Sequence, residues 1–324
     1  MHTAGEPTRI VLRGIDHLLT GERLLDKRDC VRAKFDHLRK RIMFEPRGPA
    51  EMYGAILVRE TELTRSGEAH IGVLFCHNEG YSTMCGHATM ALGRFLVETN
   101  DTEVFPARAS LKHDPTTQTT AVNLHCPCGL VAIAVPTLLE GDRIVYDSSC
   151  LVSFISVPSF ATTIDRTIEI PQEYRWPELG DRKSVVTSVS YGGAFYAILP
   201  ATELGFTNGL RGTSLPALSH ATERFKALLM DKYPETTHHP TEPSLLYLYG
   251  VVVLDLNCAA DEAGVCFFAD QAVDRSPTGS AVSARVALAH ARGQLKLNTL
   301  KRYHSIVSLS SPQPEKDAFA GEAI

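Results

Sequence analysis

Short apolar runs broken by turn residues alternate along this chain with a few amphipathic stretches. Thr8–Leu12, Ala55–Val58, Ile71–Cys76, Ala121–Leu124 and Leu130–Val135 are rich in β-branched residues and edged by turn formers, so they predict strands. Ile144–Tyr146, Leu151–Val157, Ser184–Val189, Phe195–Ile198, Leu245–Leu254 and Val265–Phe268 predict a second set. Leu24–Arg39 and Ser219–Met230 space apolar residues among charges and predict helices. Ile170–Arg182, Pro-rich and charged, and Thr236–Pro243, with its paired His and two Pro, are expected to be exposed connections.

Two blocks repeat one pattern. Asn78-Glu79-Gly80-Tyr81-Ser82-Thr83-Met84-Cys85-Gly86-His87 runs into Ala88–Leu96, and Asp274-Arg275-Ser276-Pro277-Thr278-Gly279-Ser280 runs into Ala281–Leu288. Each is a polar loop, a nucleophile-type residue, a glycine, a small polar or imidazole residue, and then an Ala-rich run of good helix formers. Pro277 suits a first helical turn, where its missing N–H is no loss. Cys85 and Thr278 are therefore both expected at helix N-termini, far enough apart to belong to two similar domains.

A helix N-terminus offers unpaired N–H groups and the positive end of the dipole. A cysteine there drops from a pKa of about 8.5 to about 3.5–7.5, which favours the thiolate. The same N–H groups bind carboxylates, and Gly86 and Gly279 let a ligand come close to the backbone. Two such helices would hold one amino-acid carboxylate between their ends. Taken alone, Cys85-Gly86 also fits a buried thiol beside a turn glycine. The second matching block shifts the weight towards chemistry.

Length and composition narrow the setting. A chain of 324 residues is long for one core, so two domains are expected. With 44% hydrophobic and 21% charged residues it has the balance of a soluble globular protein. The net charge of -5 and the absence of a dominant basic patch argue against nucleic acid. Apolar runs such as Leu248–Leu256 are too short for a bilayer. The opening Met1-His2-Thr3-Ala4-Gly5 lacks the basic flank and apolar stretch of a secretory signal, so a cytoplasmic location is expected. Eight cysteines, at 30, 76, 85, 126, 128, 150, 258 and 266, show no dense spacing and are mostly expected to be small buried hydrophobes. Cys126-Pro127-Cys128 has no matching second pair at zinc-site spacing, so no metal is expected.

Met84-Cys85-Gly86-His87 and Asp274–Ser280 resemble the two signature motifs of the proline racemase family. His2-Thr3-Ala4-Gly5-Glu6-Pro7, Glu45-Pro46-Arg47-Gly48, Met52-Tyr53-Gly54-Ala55, His77–Ser82, Val157-Pro158-Ser159-Phe160 and Tyr191-Gly192-Gly193-Ala194-Phe195 support the match, in family order, from His2 to about His290. The resemblance implies an α/β (α+β) fold of two similar subdomains, as in proline racemase and diaminopimelate epimerase. Each would be a curved sheet wrapped around a central helix, with the active site in the cleft between them. Residues 1–125 would form the first subdomain, with 304–324 returning to it, and residues 126–303 the second. Relatives reach His2 after an N-terminal strand. They also continue past a segment like Phe319-Ala320-Gly321-Glu322-Ala323 into strands that complete the first subdomain, so that its sheet is expected to expose unpaired edges. Pro49 stands where the family commonly has His, which alters that loop. Glu45 and Arg47 are expected to be an ion pair or loop anchors.

Racemases and epimerases of the family carry a second Cys where this chain has Thr278. Racemisation needs a base on each face of Cα, and a Thr hydroxyl is too weak an acid to serve as one. One-sided proton abstraction can still end in elimination when Cβ carries a leaving group. The resemblance thus implies cofactor-independent dehydration of trans-3-hydroxy-L-proline to Δ1-pyrroline-2-carboxylate, with Cys85 as general base. Gly86, His87, Gly279 and Ser280 would contact the carboxylate, and Asp274 the ring ammonium. Thr278 would hydrogen-bond the substrate or the departing hydroxyl, or fill space. His125, Cys126 and Cys128 match no catalytic part and are expected in the core. Proline racemisation or 4-hydroxyproline epimerisation is the rival within the family, opposed by the missing Cys. A truncated, non-catalytic homologue is the rival outside enzymology, opposed by the intact motifs. The implied partner is a small hydroxyproline substrate, without nucleic acid or membrane; a homodimer is compatible, since relatives are often dimers.

Overall fold

A computed structural model describes residues 1–49, 51–257 and 262–324. Cys258 lies outside the described residues. The chain divides into two compact units, Met1–Val157 and Pro158–Ile324.

The first unit opens with β1 (His2–Thr3) and β2 (Glu6–Val11), and α1 (Leu24–Lys34) and α2 (Asp36–Met43) cross to β3 (Tyr53–Val58). After α3 (Glu62–Ser66) come β4 (Ile71–Cys76), β5 (Tyr81–Ser82) and α4 (Gly86–Glu98). Then follow β6 (His113–Asp114), β7 (Thr119–Cys126), β8 (Gly129–Glu140), β9 (Arg143–Tyr146) and β10 (Ser153–Ile155). They form a 10-stranded sheet ordered β1-β2-β3-β4-β7-β8-β10, with β5, β6 and β9 paired beside it. Every residue of β3 and β4 is buried, as in strands covered on both faces. Ile56, Val58, Leu74 and Cys76 point one way, into a cluster with Leu24, Val31 and Met43 of α1 and α2. Their alternates face the other side, where α4 packs against β1, β2, β3, β7, β8, β9 and β10. The sheet therefore curves round α4.

The second unit runs β11 (Phe160–Glu169), β12 (Ser184–Tyr191), β13 (Phe195–Pro200), α5 (Leu215–Lys232) and β14 (Leu248–Asp255). It continues with β15 (Ala263–Phe268), β16 (Ala272–Val273), α6 (Gly279–Ala291), β17 (Lys301–Ser305), α7 (Pro314–Asp317) and β18 (Phe319–Gly321). Its 8-stranded sheet is ordered β11-β12-β13-β14-β15-β17-β18, with β16 beside β15. Helix α6 packs against β11, β12, β13 and β18.

The two units repeat one topology. In the first, β2 and β3 pair parallel, β3 and β4 antiparallel, β4 and β7 parallel, β7 and β8 antiparallel. In the second, β13, β14, β15, β17 and β18 repeat that alternation. A short strand folds back on the central one in each, β5 on β4 and β16 on β15, and a 13-residue helix follows. This is an α+β protein of two similar open-sheet units.

Several expectations need correction. The boundary expected at 125/126 would cut the β7–β8 hairpin, whose strands pair from Thr119↔Pro136 to Cys126↔Gly129, so the division falls after Val157. The segment 304–324 does not return to the first unit: β18 pairs β17, and both belong to the second sheet as counterparts of β7 and β8. The predicted helix Leu24–Arg39 breaks at Phe35 (φ -128, ψ 19), where Asp36 begins a second helix and binds its own Arg39. β11 was not predicted, because positive φ at Asp165 and two register shifts break its alternation. The connection Ile170–Arg182 is not wholly exposed, since Ile170, Trp176 and Leu179 are buried and Trp176 Nε1 donates to Leu204 O at 2.8 Å. In Thr236–Pro243, Thr236 and Thr237 are buried and the His239 ring packs edge-on to Tyr191.

Candidate active site

Cys85 is the residue before α4, in extended conformation (φ -145, ψ 112), and only 4% exposed. Its carbonyl accepts the first intrahelical bond, from Thr89 N at 3.0 Å. Gly86, His87 and Ala88 form the first turn of α4, whose N–H groups point to the N-terminal end of the helix. The Cys85 thiol lies 3.3 Å from His87 Nδ1 and 3.5 Å from Nε2. His87, 2% exposed, is held from two sides. Tyr53 meets its ring edge-on at 5.0 Å, and Thr3 Oγ1 donates to its carbonyl at 3.0 Å. The Tyr53 hydroxyl is itself hydrogen-bonded to Ser82 on β5. Cys126, behind Cys85 on β7, is fully buried; burial pushes its thiol well up, and Cys128 and Cys85 add to the effect. It stays a neutral core thiol. His125 is buried as well, which holds its imidazole pKa down, and its Nδ1 bonds Thr61 Oγ1 at 2.8 Å.

Thr278 precedes α6 in the second unit and is 5% exposed. The loop before it is tied by Ser276, whose N–H and hydroxyl both donate to Asp274 Oδ1, at 2.8 and 2.7 Å. Thr278 N in turn donates to Ser276 Oγ at 3.1 Å. Asp274 is thus the capping acid of this turn as well as a buried carboxylate. Thr278 sits at φ 64, ψ 93, a backbone region costly for a β-branched residue. Its Oγ1 is buried beside the Cys266 thiol but has no partner of ordinary hydrogen-bond geometry. Burial, with Asp274 adding to it, drives the Cys266 pKa up and outweighs the lowering effect of the Thr278 hydroxyl. The thiol nearest the second helix start is thus kept protonated. Ser280 Oγ pairs with the Tyr196 hydroxyl at 2.6 Å.

The structure therefore brings Cys85, Gly86 and His87 together in the first unit, and Asp274, Thr278, Gly279 and Ser280 together in the second. Sequence reading missed Tyr53, Ser276, Tyr196 and Cys266, which hold these residues from other strands and turns. Tyr53 stood within the matched run Met52–Ala55 without a role, and Ser276 carried a local signal, since a small hydroxyl two residues after Asp274 is the pattern of a side-chain-capped turn. Arg47 anchors its loop through its carbonyl, which accepts from Arg9. Among the described residues, no group of His, Cys, Asp and Glu has metal-holding geometry, and no helix is long and apolar enough to cross a membrane.

Solved structures place this architecture in a class. The crystal structure of a probable proline racemase from Agrobacterium radiobacter K84, with bound carbonate, superposes with TM-score 0.75 at 21% identity, over 94% of this chain and 80% of that one. A hydroxyproline epimerase from Agrobacterium vitis, with bound trans-4-OH-L-proline, gives 0.73 at 22%, over the same shares. At these identities the likeness establishes the fold. Sequence goes further, since the family described as Proline racemase matches residues 1–311. A trans-L-3-hydroxyproline dehydratase of Bos taurus is 42% identical over 329 residues, 100% of this chain and 81% of that protein. The trans-3-hydroxy-L-proline dehydratase of Homo sapiens is 41% identical over the same shares. That of Colwellia psychrerythraea is 38% identical over 99% of this chain and 81% of its own. The chain belongs to the proline racemase family.

Proposed function

We propose that this chain dehydrates trans-3-hydroxy-L-proline to Δ1-pyrroline-2-carboxylate, with Cys85 as the general base. The carrying observation is an asymmetry. Two helix starts equivalent in topology hold a cysteine in one unit and a threonine in the other. Abstraction of the α-proton from one face is available, and its return from the opposite face is not. The activity named for the bovine, human and Colwellia relatives supports the substrate.

Gly86 and His87, with Gly279 and Ser280, would bind the carboxylate through N–H groups at helix starts. Asp274, its orientation fixed by Ser276, would pair with the ring ammonium. The Thr278 hydroxyl, buried without a well-formed bond, has capacity left for a polar atom of the substrate. As Cys85 takes the α-proton, the electron pair left on Cα forms the Cα–Cβ double bond and the C3–O bond breaks. The enamine then tautomerises to the cyclic imine. No electron sink is needed, because elimination disperses the carbanion as it forms. The described cysteines are free thiols, which supports a reducing compartment such as the cytoplasm.

Incubation with trans-3-hydroxy-L-proline tests the reading. Imine formation, with L-proline left optically unchanged, is expected. Absence of imine, or D-proline from L-proline, would overturn it.

A further inference from the structure

We propose that His87 is the acid that protonates the departing 3-hydroxyl, and that its contact with Cys85 closes the proton cycle. This rests on the dehydratase reading above. In trans-3-hydroxy-L-proline the 3-hydroxyl lies on the ring face opposite the carboxylate. The α-hydrogen also lies opposite the carboxylate, so hydrogen and hydroxyl share one face. A base that removes this hydrogen stands on the face from which the hydroxyl must leave, and the elimination is syn. Hydroxide is a poor leaving group and needs a proton donor on that same face. Thr278 takes the sequence place of the base that racemases use on the other face.

Beside Cys85, His87 is the group fitted for this. Both ring nitrogens lie within 3.5 Å of the thiol, so a substrate whose Cα–H reaches Sγ brings the neighbouring C3–O to the imidazole. The edge-on contact with Tyr53 fixes the ring. The alternatives are committed elsewhere: the Tyr53 hydroxyl is bonded to Ser82, and burial keeps the Cys126 thiol a very weak acid.

The protons balance. The cycle starts with Cys85 as thiolate and His87 as imidazolium, a pairing common beside activated cysteines. The thiolate takes the α-proton, the Cα–H pair becomes the Cα–Cβ bond, the C3–O bond breaks, and the imidazolium gives its proton to the oxygen. Water leaves, with a thiol and a neutral imidazole remaining. Transfer of the thiol proton to the ring nitrogen across the 3.3 Å contact restores the starting pair, with no net proton gained or lost.

Three rates of the whole chain test this: imine formation from trans-3-hydroxy-L-proline, elimination from trans-3-chloro-L-proline, and α-hydrogen exchange of L-proline in deuterium oxide. Chloride leaves without a proton, and exchange involves no leaving group. In His87→Gln, dehydration should fall at least about 10²-fold further than exchange, the scale of one general acid, while chloride elimination falls no further than exchange. His87→Asn should show the same split. Parallel loss of all three rates, in variants that melt like the wild type, would show that His87 only supports Cys85 and would overturn the proposal. The wild type gives a test free of folding effects. A solvent deuterium isotope effect is expected on the hydroxyl substrate and a smaller one on the chloro substrate; equal effects would overturn the proposal. A wild type that exchanges L-proline yet forms no imine would instead sink the dehydratase reading itself.

Discussion

At Cys85 and Thr278 two topologically equivalent helix starts carry side chains of very different acidity. Both residues end a loop that follows a short fold-back strand, and both precede a 13-residue helix. A thiol near a helix N-terminus can be half ionised at neutral pH, whereas a hydroxyl cannot. Cys85→Ser should therefore keep the fold and lower turnover about 10³-fold, within the range a general base contributes. Circular dichroism with an imine assay checks both halves, and near-wild-type turnover would remove Cys85 as proton acceptor. Thr278→Cys is the reciprocal change. It puts a thiol at the second helix start and removes a β-branch from a backbone (φ 64) that tolerates it poorly, at a site where such strain costs about 1–3 kcal/mol. The variant should gain weak racemisation of proline or epimerisation of 4-hydroxyproline, seen by chiral chromatography after long incubation. Continued absence of D-proline in a stable variant would mean that more than the missing thiol separates this site from a racemase. Cys266 does not substitute for that thiol, since burial holds its pKa up.

Secondary structure was most legible where one physical rule dominated. Ile71–Cys76 was read to the residue because both faces of β4 are buried and its run is unbroken apolar. The two central helices were legible because a polar loop, a glycine and an Ala-rich run give one signal. What stayed hidden depends on distant partners. β11 alternates poorly, its bulge at Asp165 being read only through pairing with β12, and Ser188 Oγ accepts from Asp165 N at 2.8 Å. The placement of β17 and β18 follows from the duplicated topology, which no local pattern records. Of the site, the residues that begin the helices were legible, but not Tyr53, Tyr196 or Cys266, which arrive from strands remote in sequence. Gly192 shows how tightly such strands set a helix. Following β12, it lies where a Cβ would run into the backbone of α6, at Ser280 O and Ala284 N. Ser190 Oγ binds the same helix, donating to Ala284 O at 2.8 Å. Backbone cannot yield as a side-chain tip can, so Gly192→Ala should destabilise the second unit by about 1–3 kcal/mol and displace the first turn of α6. Turnover should fall with the melting temperature, and Gly80→Ala, with open space around its Cβ position, should change neither. Equal melting of Gly192→Ala and wild type would show that the helix is free to shift.

Both units of the whole molecule bury cationic side chains, and in the second one of them, Arg285, creates a dependence on acid. Arg285 of α6 is 3% exposed and pairs through Nε with Glu262 Oε1 at 2.6 Å. Lys301 of β17 reaches the other oxygen at 2.5 Å, so one carboxylate ties the central helix to two neighbouring strands. The Arg285 guanidinium also lies over the Tyr303 ring, 4.7 Å from its centre. Burial pushes the Glu262 carboxyl up, but Arg285 and Lys301 together outweigh it and leave the pKa below its ordinary 4.5. A depressed carboxylate stabilises the fold above its unfolded-state pKa, and that contribution is lost as pH falls through the folded-state value. At neutral pH, Glu262→Gln removes the partner of a buried guanidinium and should cost about 3 kcal/mol. As pH falls below the ordinary 4.5 and on towards the depressed folded-state value, the wild-type carboxyl becomes protonated as well, so the gap between wild type and variant should narrow steadily. The chain's single tryptophan, Trp176, is buried in this unit and reports its unfolding directly. Urea titrations followed by its fluorescence, at pH 7 and at about pH 3, give the two gaps. A gap of the same size at both values would mean that the Glu262–Arg285 pair contributes no proton-linked stability and that the cost of the variant is one of shape.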